Sequence, residues 1–282
     1  MPTKRAISTQ IIAEEVKKLF LTTAFVLPEK VRSRLLNAFN SEPSPQGRAA
    51  LERLLENALI AAQTSTPLCQ DTGLAQVIIE LGQEVSLEGA PLSQAVEAGV
   101  REAYETGYLR KSTCHPLTRQ NNGDNTPASL ETLILEGDLV KILTLAKGGG
   151  CDNKSLMTVL PPTSDRQTLI QTVLSMVQKA GPDSCPPFCL GLCIGGSFES
   201  APRLARRALI DLWEEPLMTY EENQLADELM AVINATGIGP LGLGGKTTAL
   251  GLRVKIYPTH LASLPLALCV NCHSLRTARV VI

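Results

Sequence analysis

The chain has 282 residues, 44% of them hydrophobic and 19% charged, with a formal net charge of −2. This composition is typical of a well-packed protein of one large or two ordinary domains. Basic and acidic residues are mixed along the chain, so no charge pattern favours nucleic acid or an anionic membrane as a partner. The apolar runs are too short to span a bilayer and no secretory signal is visible, so we expect a cytoplasmic protein.

The N-terminal part of the chain is predicted to be helical. Apolar residues recur at helical spacing from Ser8 to about Thr64. We expect one domain in which a helical segment, residues 1–66, precedes an α/β part, residues 67–282. The boundary near residue 66 is soft.

Strand and helix patterns alternate after this segment. Strands are predicted at Ala75–Leu81, Glu131–Leu135, Leu139–Leu145, Thr248–Ile256 and Pro265–Val270. Helices are predicted at Pro91–Leu109, Asp165–Ala180, Ser200–Ile210 and Tyr220–Ala235. This order favours an α/β (mixed α+β) fold, in which a helical N-terminal region is followed by a layered domain.

Three of the cysteines lie in turns marked by glycine or proline, and they are the best indication of function. They are Cys69 in Cys69–Gly73, Cys185 before two prolines, and Cys272 beside His273. Their spacing is far too long for the ligand runs of a ferredoxin or a zinc knuckle, so only tertiary folding would bring them together. Three thiolates from three loops suit a four-iron cluster that leaves one iron to the substrate. The alternative is that they are small buried hydrophobic residues.

Other motifs are weaker. Gly237–Gly242 has dinucleotide-fingerprint spacing but follows a helical pattern, and Gly245–Thr247 lacks the first glycine of a phosphate loop. The C-x-x-C at Cys269–Cys272 lies at the end of a predicted strand. A thioredoxin-type redox pair lies at the start of a helix, so the redox interpretation is disfavoured. For Cys189, Cys193 and Cys269 we prefer a core-packing role.

A set of ordered motifs gives the chain a family resemblance. They are Cys69–Gly73, Asn125–Ala128, Lys147–Gly150, Cys185–Pro187, Ile238–Pro240 with Gly244–Thr248, and His260–Pro265 leading to Cys272-His273. With them the chain resembles, over nearly its whole length, the α subunit of the class I fumarase and L-tartrate dehydratase family of iron–sulfur hydro-lyases.

The resemblance implies a cofactor and a site. Cys69, Cys185 and Cys272 would hold three irons of a 4Fe–4S cluster, and the fourth iron would take the substrate. Gln70, Arg110 and Gly149 would bind a small dicarboxylate, and Asp71 and His260 would serve in catalysis. Without the family resemblance, we would interpret His260 as a core histidine, Gly148–Gly150 as an ordinary turn and Arg110 as a solvated charge at a helix end.

The chain departs from the family pattern at one motif, and the resemblance also implies a partner subunit. Cys151-Asp152-Asn153 follows the triple glycine where relatives have a serine or similar residue and an acid, and Cys151 ranks below the other three cysteines as a ligand. Single-chain relatives continue into a second domain that supplies further substrate-binding residues. We therefore expect a separate β subunit, an α2β2 assembly, and no appreciable turnover by this chain alone.

The implied reaction is the reversible hydration of fumarate to (S)-malate. Dehydration of L-tartrate to oxaloacetate is the next alternative, and mesaconate hydration is a third, because one extra hydroxyl is decided by details of the pocket. Two alternatives are not enzymes. One is a noncatalytic iron–sulfur or zinc-binding partner protein, and the other is a cysteine-rich domain without metal.

Overall fold

The computed structural model describes residues 4–282 and confirms the expected mixture of helices and sheets. In chain order the elements are β1 (Arg5–Ser8), α1 (Thr9–Phe25), α2 (Glu29–Ser41), α3 (Pro45–Thr64), β2 (Leu74–Gly82), β3 (Val85–Glu88), α4 (Leu92–Thr106), β4 (Ser129–Leu135), β5 (Val140–Lys147), α5 (Gly149–Asp152), β6 (Leu156–Leu160), α6 (Arg166–Ala180), β7 (Phe188–Gly196), α7 (Ser200–Ile210), α8 (Tyr220–Asn234), β8 (Ala249–Thr259), β9 (Leu264–Asn271) and β10 (Thr277–Val281). Short 3-10 turns lie at Pro182–Ser184 and Pro240–Gly242.

The chain divides into two compact units, each built from separate segments. Unit 1 comprises the described residues up to Pro28, then Ala58–Gly149 and Arg276–Ile282. Unit 2 comprises Glu29–Asn57 and Gly150–Leu275. None of these boundaries falls at residue 66, and the single-domain organisation stays a prediction.

Unit 1 contains a four-stranded sheet in the order β10-β5-β2-β4 and a parallel pair of β1 with β3. Strand β2 is antiparallel to β5 and parallel to β4. The runs predicted at 131–135 and 139–145 are therefore not neighbours, although only a short turn separates them in the sequence. Strand β2 lies between them because its Val77–Ile79 core is apolar toward both faces and is almost fully buried there.

Helices α1 and α4 pack against each other in unit 1. Val16 and Phe20 of α1 and Val96, Val100 and Tyr104 of α4 are buried in one apolar cluster with β2 and β5. The Ser8 hydroxyl accepts a hydrogen bond from the Gln10 amide and caps α1. This packing fixes the end of α4 and the start of β2, where the predicted site residues begin.

Unit 2 contains the second four-stranded sheet, in the order β6-β9-β7-β8. Strand β7 is parallel to β8 and antiparallel to β9, and helix α7 packs on it. Helices α6 and α8 contribute the rest of the core. The sequence analysis predicted no strand at β7, since its Phe188–Gly196 run is rich in glycine and cysteine instead of β-branched residues.

The core-packing role of three cysteines is confirmed. Cys189 and Cys193 of β7 are 0% exposed, and Cys269 of β9 is buried as well. Burial raises the pKa of the Cys193 thiol to about 11, because the apolar surroundings disfavour the thiolate. All three cysteines belong to the strands that form the interior of unit 2.

Over residues 4–282, the helices of the structure are each too short or too polar to cross a lipid bilayer.

The contact between β7 and α7 yields a prediction for stability. A Cβ on Gly191 would lie 2.2 Å from the carbonyl oxygen of Ala205 and 2.4 Å from the amide nitrogen of Leu209. We expect Gly191→Ala to lower the free energy of unfolding by about 2–3 kcal/mol, because the helix must move off the strand. Urea unfolding measures this. Gly150→Ala is the matched control, since a Cβ there meets nothing within 4 Å; equal stability of the two variants would contradict the packing argument.

Candidate active site

The Cys69–Gly73 turn of unit 1 leads directly into β2. Gly73 has φ +87°, and a Cβ on it would stand 2.8 Å from the carbonyl carbon of Ala146 and from the amide nitrogen of Lys147. Both the backbone conformation and the space therefore require glycine. The turn is pressed against the end of β5, where the triple glycine begins.

The Asp71 carboxylate is held by backbone amides on both oxygens. The Gly149 amide donates to Oδ2 at 2.8 Å, and the Gly73 amide donates to Oδ1 at 3.0 Å. The Arg276 guanidinium donates from Nη1 to the Asp71 carbonyl oxygen at 2.8 Å. A Cβ on Gly148 would be 3.2 Å from Asp71 Oδ2. The triple glycine thus permits a close approach to a carboxylate and is not an ordinary turn.

Two buried polar side chains, those of Tyr104 and Asn125, form hydrogen bonds to the Cys69–Gly73 turn. The Tyr104 hydroxyl lies 2.8 Å from the Gly73 carbonyl oxygen, and Asn125 Nδ2 donates to the same oxygen at 3.2 Å. Asn125 Oδ1 accepts from the Ser112 amide at 2.7 Å. Burial raises the pKa of the Tyr104 hydroxyl well above its usual range, so it remains a neutral donor. The Asn125–Ala128 motif therefore buttresses the site through its asparagine.

The other predicted residues of unit 1 lie on its surface. Cys69, Gln70 and the Arg110 side chain are exposed, while Asp71 is half-buried. The Thr72 hydroxyl donates to the Arg110 carbonyl oxygen at 2.6 Å. The structure thus brings together Asp71, Gly149 and the backbone of Arg110, and places Cys69 and Gln70 just before them in the chain.

In unit 2, Cys185 follows a 3-10 turn and is exposed. It has φ +53°, in the left-handed region, and its amide donates to the Pro182 carbonyl oxygen at 3.1 Å. The next carbonyl, that of Pro186, accepts from the Leu241 amide at 2.7 Å. The two flanking contacts hold the turn so that the cysteine side chain is presented at the surface.

Cys272 directly follows strand β9, as predicted, and is partly exposed. Its neighbour His273 contacts the Cys185 carbonyl oxygen through Nδ1 at 3.1 Å and through its amide at 3.4 Å. A carbonyl can only accept, so Nδ1 of His273 carries a proton and Nε2 is the acceptor of the neutral ring. The structure thereby brings the Cys185 and Cys272 turns together.

His260 lies in the exposed connection between β8 and β9. Its Nδ1 accepts a hydrogen bond from the Ala262 amide at 3.1 Å, and its carbonyl accepts from the Ser263 amide at 2.9 Å. The neutral ring therefore carries its proton on Nε2. The expectation without the family resemblance, a buried core histidine, is wrong.

A buried carboxylate in unit 2 organises the glycine-rich loop Gly244–Thr248. Glu42 is 4% exposed and accepts hydrogen bonds from the amides of Lys246 at 2.8 Å, Thr247 at 3.0 Å and Ser44 at 3.2 Å. Burial by itself raises the pKa of Glu42, but the hydrogen bonds from these amides outweigh it and hold that pKa below its ordinary value. The loop that resembles the end of a phosphate loop in sequence therefore binds an anion through its amides, and the chain itself supplies that anion.

The exposure of the cysteines tests whether they suit a metal cluster. Cys69 and Cys185 are exposed and Cys272 is partly exposed, whereas Cys151 is buried and its Sγ lies 3.5 Å from the Ser184 carbonyl oxygen. Soft thiolates on accessible turns are the donors that iron–sulfur clusters take, so each of the three predicted thiols has the chemistry and the exposure that such a group needs. Within each unit, as described over residues 4–282, no three His, Cys, Asp or Glu side chains are grouped to hold a metal ion.

Sequence reasoning missed several residues that shape the site. The sequence analysis quoted His273 only as part of a motif and assigned no role to Arg276, Tyr104 or Glu42. Glu42 lies in a polar, proline-rich stretch that gives no sign of its burial, and the loop partners of Glu42 and the Asp71 partner of Arg276 lie more than 200 residues away in the sequence. Only the fold reveals the contact.

The structure thus shows a backbone-held carboxylate in unit 1 and accessible thiols on loops of each unit, and the class of protein follows from comparison with known families. The sequence model of the family described as fumarate hydratase (Fumerase) matches residues 13–281. The chain belongs to this family of hydro-lyases, which confirms the resemblance seen in its motifs.

The relatives carry two kinds of name. A protein of Methanocaldococcus jannaschii, provisionally named L(+)-tartrate dehydratase subunit alpha, is 35% identical over 95% of this chain and 96% of its own length. A provisionally named class I fumarate hydratase of Geobacillus stearothermophilus is 29% identical over 93% of this chain, which spans 53% of that protein. An L(+)-tartrate dehydratase subunit alpha of Escherichia coli is 26% identical over 90% of this chain and 86% of its length.

The lowered pKa of Glu42 gives a pH-dependent prediction. The pKa of Glu42 in the unfolded chain is near 4.5, and its pKa in the folded chain is lower. Ionised Glu42 therefore stabilises the fold fully above the unfolded pKa, and this contribution is lost as the pH falls through the folded pKa. We expect Glu42→Gln to lower the free energy of unfolding by about 2 kcal/mol at pH 7, because two charge-assisted hydrogen bonds to the loop weaken. The deficit relative to the unmodified chain should shrink below pH 4.5.

Denaturant unfolding across this pH range measures the difference, with the exposed Glu52→Gln as control. A deficit that stays constant down to pH 3 would show that the Glu42 charge does not contribute.

Proposed function

We propose that this chain is the α subunit of an iron–sulfur hydro-lyase that reversibly hydrates fumarate to (S)-malate. The observation that carries the proposal is the Asp71 carboxylate, held on both oxygens by the Gly149 and Gly73 amides at the end of the thiol-bearing turn. Membership of the fumarate hydratase (Fumerase) family supports the reaction class. A carboxylate fixed in this way costs no reorganisation when the reaction begins.

The substrate of this proposal is a small dicarboxylate. The exposed side chains of Arg110 and Gln70 supply donors that recognise a carboxylate, and a guanidinium does so bidentately. The Gly149 amide is already engaged by Asp71, so we assign this glycine the role of letting the substrate approach the backbone closely.

Asp71 and His260 are the proposed catalytic residues. In the neutral His260 ring the proton is on Nε2, since Nδ1 accepts from the Ala262 amide; Nε2–H is then the group that donates to the departing hydroxyl. Asp71, with both oxygens fixed, orients the hydroxyl and stabilises positive charge nearby.

Cys69, Cys185 and Cys272 are the proposed ligands of a 4Fe–4S cluster. When bound, such a cluster supplies a Lewis-acidic iron for the hydroxyl and carboxylate of the substrate. The protein's contribution is three thiols on turns, while buried Cys189 and Cys193 stay in the core. Because thiolate ligands persist in a reducing compartment, we place the enzyme in the cytoplasm.

A separate β subunit is part of the proposal. Two of the relatives described above are named as alpha subunits, and this chain spans about half of the class I fumarate hydratase relative. We infer that a partner chain carries the remaining substrate-binding residues and that the assembly is α2β2, with low turnover by this chain alone.

L-tartrate dehydration to oxaloacetate is the second candidate. It is favoured by the names of the Methanocaldococcus jannaschii and Escherichia coli relatives. The two substrates differ by a hydroxyl, which a pocket distinguishes only if it offers that group a partner. Mesaconate hydration ranks third, and a noncatalytic metal-binding partner protein ranks last because the family consists of hydro-lyases.

Removal of any proposed ligand is expected to abolish activity and cluster loading. After anaerobic reconstitution, Cys69→Ser, Cys185→Ser and Cys272→Ser should each bind less iron and lose hydratase activity by about a hundredfold or more, since a cluster with two thiolates is labile. Iron analysis and visible absorbance measure loading independently of turnover. Cys114→Ser, which alters a thiol outside the proposed set, is the matched control. Full loading in any of the three variants would remove that cysteine from the ligand set.

The substrate is identified by turnover of the reconstituted chain co-expressed with the β-type subunit. We expect hydration of fumarate to exceed dehydration of L-tartrate by about tenfold or more in kcat/KM, and the chain alone to show little turnover of either. The reverse preference would assign the protein as a tartrate dehydratase subunit. Full activity without the partner would disprove the two-subunit proposal.

A further inference from the structure

Arg276 lies immediately before β10 and is 3% exposed, which is rare for an arginine. Its carbonyl oxygen accepts a hydrogen bond from the Ala146 amide at 3.0 Å, so it extends the ladder in which Thr277 pairs with Leu145. This pairing places Arg276 beside the end of β5, where the triple glycine departs.

The guanidinium of Arg276 and the carboxylate of Asp71 pack against the same glycine. Nη1 donates to the Asp71 carbonyl oxygen at 2.8 Å. A Cβ on Gly148 would stand 3.5 Å from Arg276 Nη2 and 3.2 Å from Asp71 Oδ2. Gly148 is the position that lets the cation and the anion share one small space.

Burial of this guanidinium is poorly compensated as a packing arrangement. Its Nε is buried with no hydrogen-bond partner in the described part of the chain, residues 4–282. Desolvating a cation is costly, and one hydrogen bond to a neutral carbonyl offsets only part of that cost. In other proteins, replacing buried ionic groups by apolar side chains of similar volume is often neutral or stabilising, so burial of a charge is not by itself a gain in stability. The arrangement instead favours a role for the charge and its planar donors next to Asp71.

We propose that Arg276 is a positioning residue for Asp71. Its guanidinium holds the peptide carbonyl of Asp71, so that the carboxylate stays on the Gly149 amide. Without that contact the carbonyl loses its donor and the turn between Cys69 and Gly73 gains freedom to rotate. Only the kinetic consequence rests on the proposed function; the structural link between Arg276 and the Gly149 amide is independent of any substrate.

Hydrogen exchange on the full chain tests the structural link. Arg276→Lys keeps the charge but replaces the planar fork with a single flexible ammonium. We expect the Gly149 amide to exchange about tenfold faster or more in this variant, with strands of unit 2 unchanged. Arg279→Lys, three positions along on β10, is the matched control and should exchange like the unmodified chain. Undiminished protection of Gly149 in Arg276→Lys would overturn the proposal.

Kinetics of the reconstituted enzyme with its β partner test the consequence. Per bound iron, kcat of Arg276→Lys should fall about tenfold or more while KM changes by less than about threefold, because a displaced Asp71 affects the reacting geometry. The double variant Arg276→Lys/Asp71→Asn should be no slower than Asp71→Asn, since the two residues act as one unit.

Additive losses, or losses that only follow the iron content or the folded fraction, would reduce Arg276 to a structural residue and overturn the proposal. If the unmodified enzyme turns over none of the candidate acids, the proposed function fails, and the exchange experiment still decides the role of Arg276.

Discussion

The organisation of the candidate site depends on the hydrogen bonds between the Asp71 carboxylate and the backbone amides of Gly73 and Gly149. One bond is local and closes the turn into β2, and the other reaches across to the strand end of β5. A carboxylate that joins two segments in this way fixes their relative position more firmly than apolar contact does, because its geometry is directional. Gly73 is required for it, since a Cβ there would stand 2.8 Å from backbone atoms, and a Cβ on Gly148 would stand 3.2 Å from the Asp71 carboxylate and crowd it.

In unit 2, hydrogen bonds between a carboxylate and backbone amides also hold a glycine-rich loop. Glu42, a buried carboxylate, is satisfied by amides of Lys246 and Thr247, and the loop that begins at Ile238 also contacts the Cys185 turn through the Leu241 amide. In each unit a carboxylate from one segment orders a glycine-rich loop from another. Glycine-rich loops lose much conformational entropy on folding. Hydrogen bonds from their amides to a buried carboxylate offset part of that loss and hold the loop in one conformation.

The sequence allowed the helices and most long strands to be predicted, because hydrophobic periodicity is a local property. Helix α7 was predicted with its observed bounds, Ser200–Ile210. Strand β7 was missed since glycine and cysteine carry little strand signal, and the order of β2, β4 and β5 was not accessible because pairing is decided by burial of whole strands. For the site, motif resemblance named Asp71, but the contact with Arg276 spans 205 residues and has no local signature.

Local geometry, more than the number of cysteines, separates the accessible thiols from the buried ones. Cys193 lies inside a fully buried strand, where desolvation keeps its thiol protonated and therefore a poor ligand. Cys185 occupies a left-handed turn position that a strand or helix does not provide, and this conformation turns it out of the core. The His273 side chain and amide both bond the backbone of that same turn, so the segments that carry Cys185 and Cys272 are joined by hydrogen bonds. This link between the two turns supports the proposal that Cys185 and Cys272 bind one cluster.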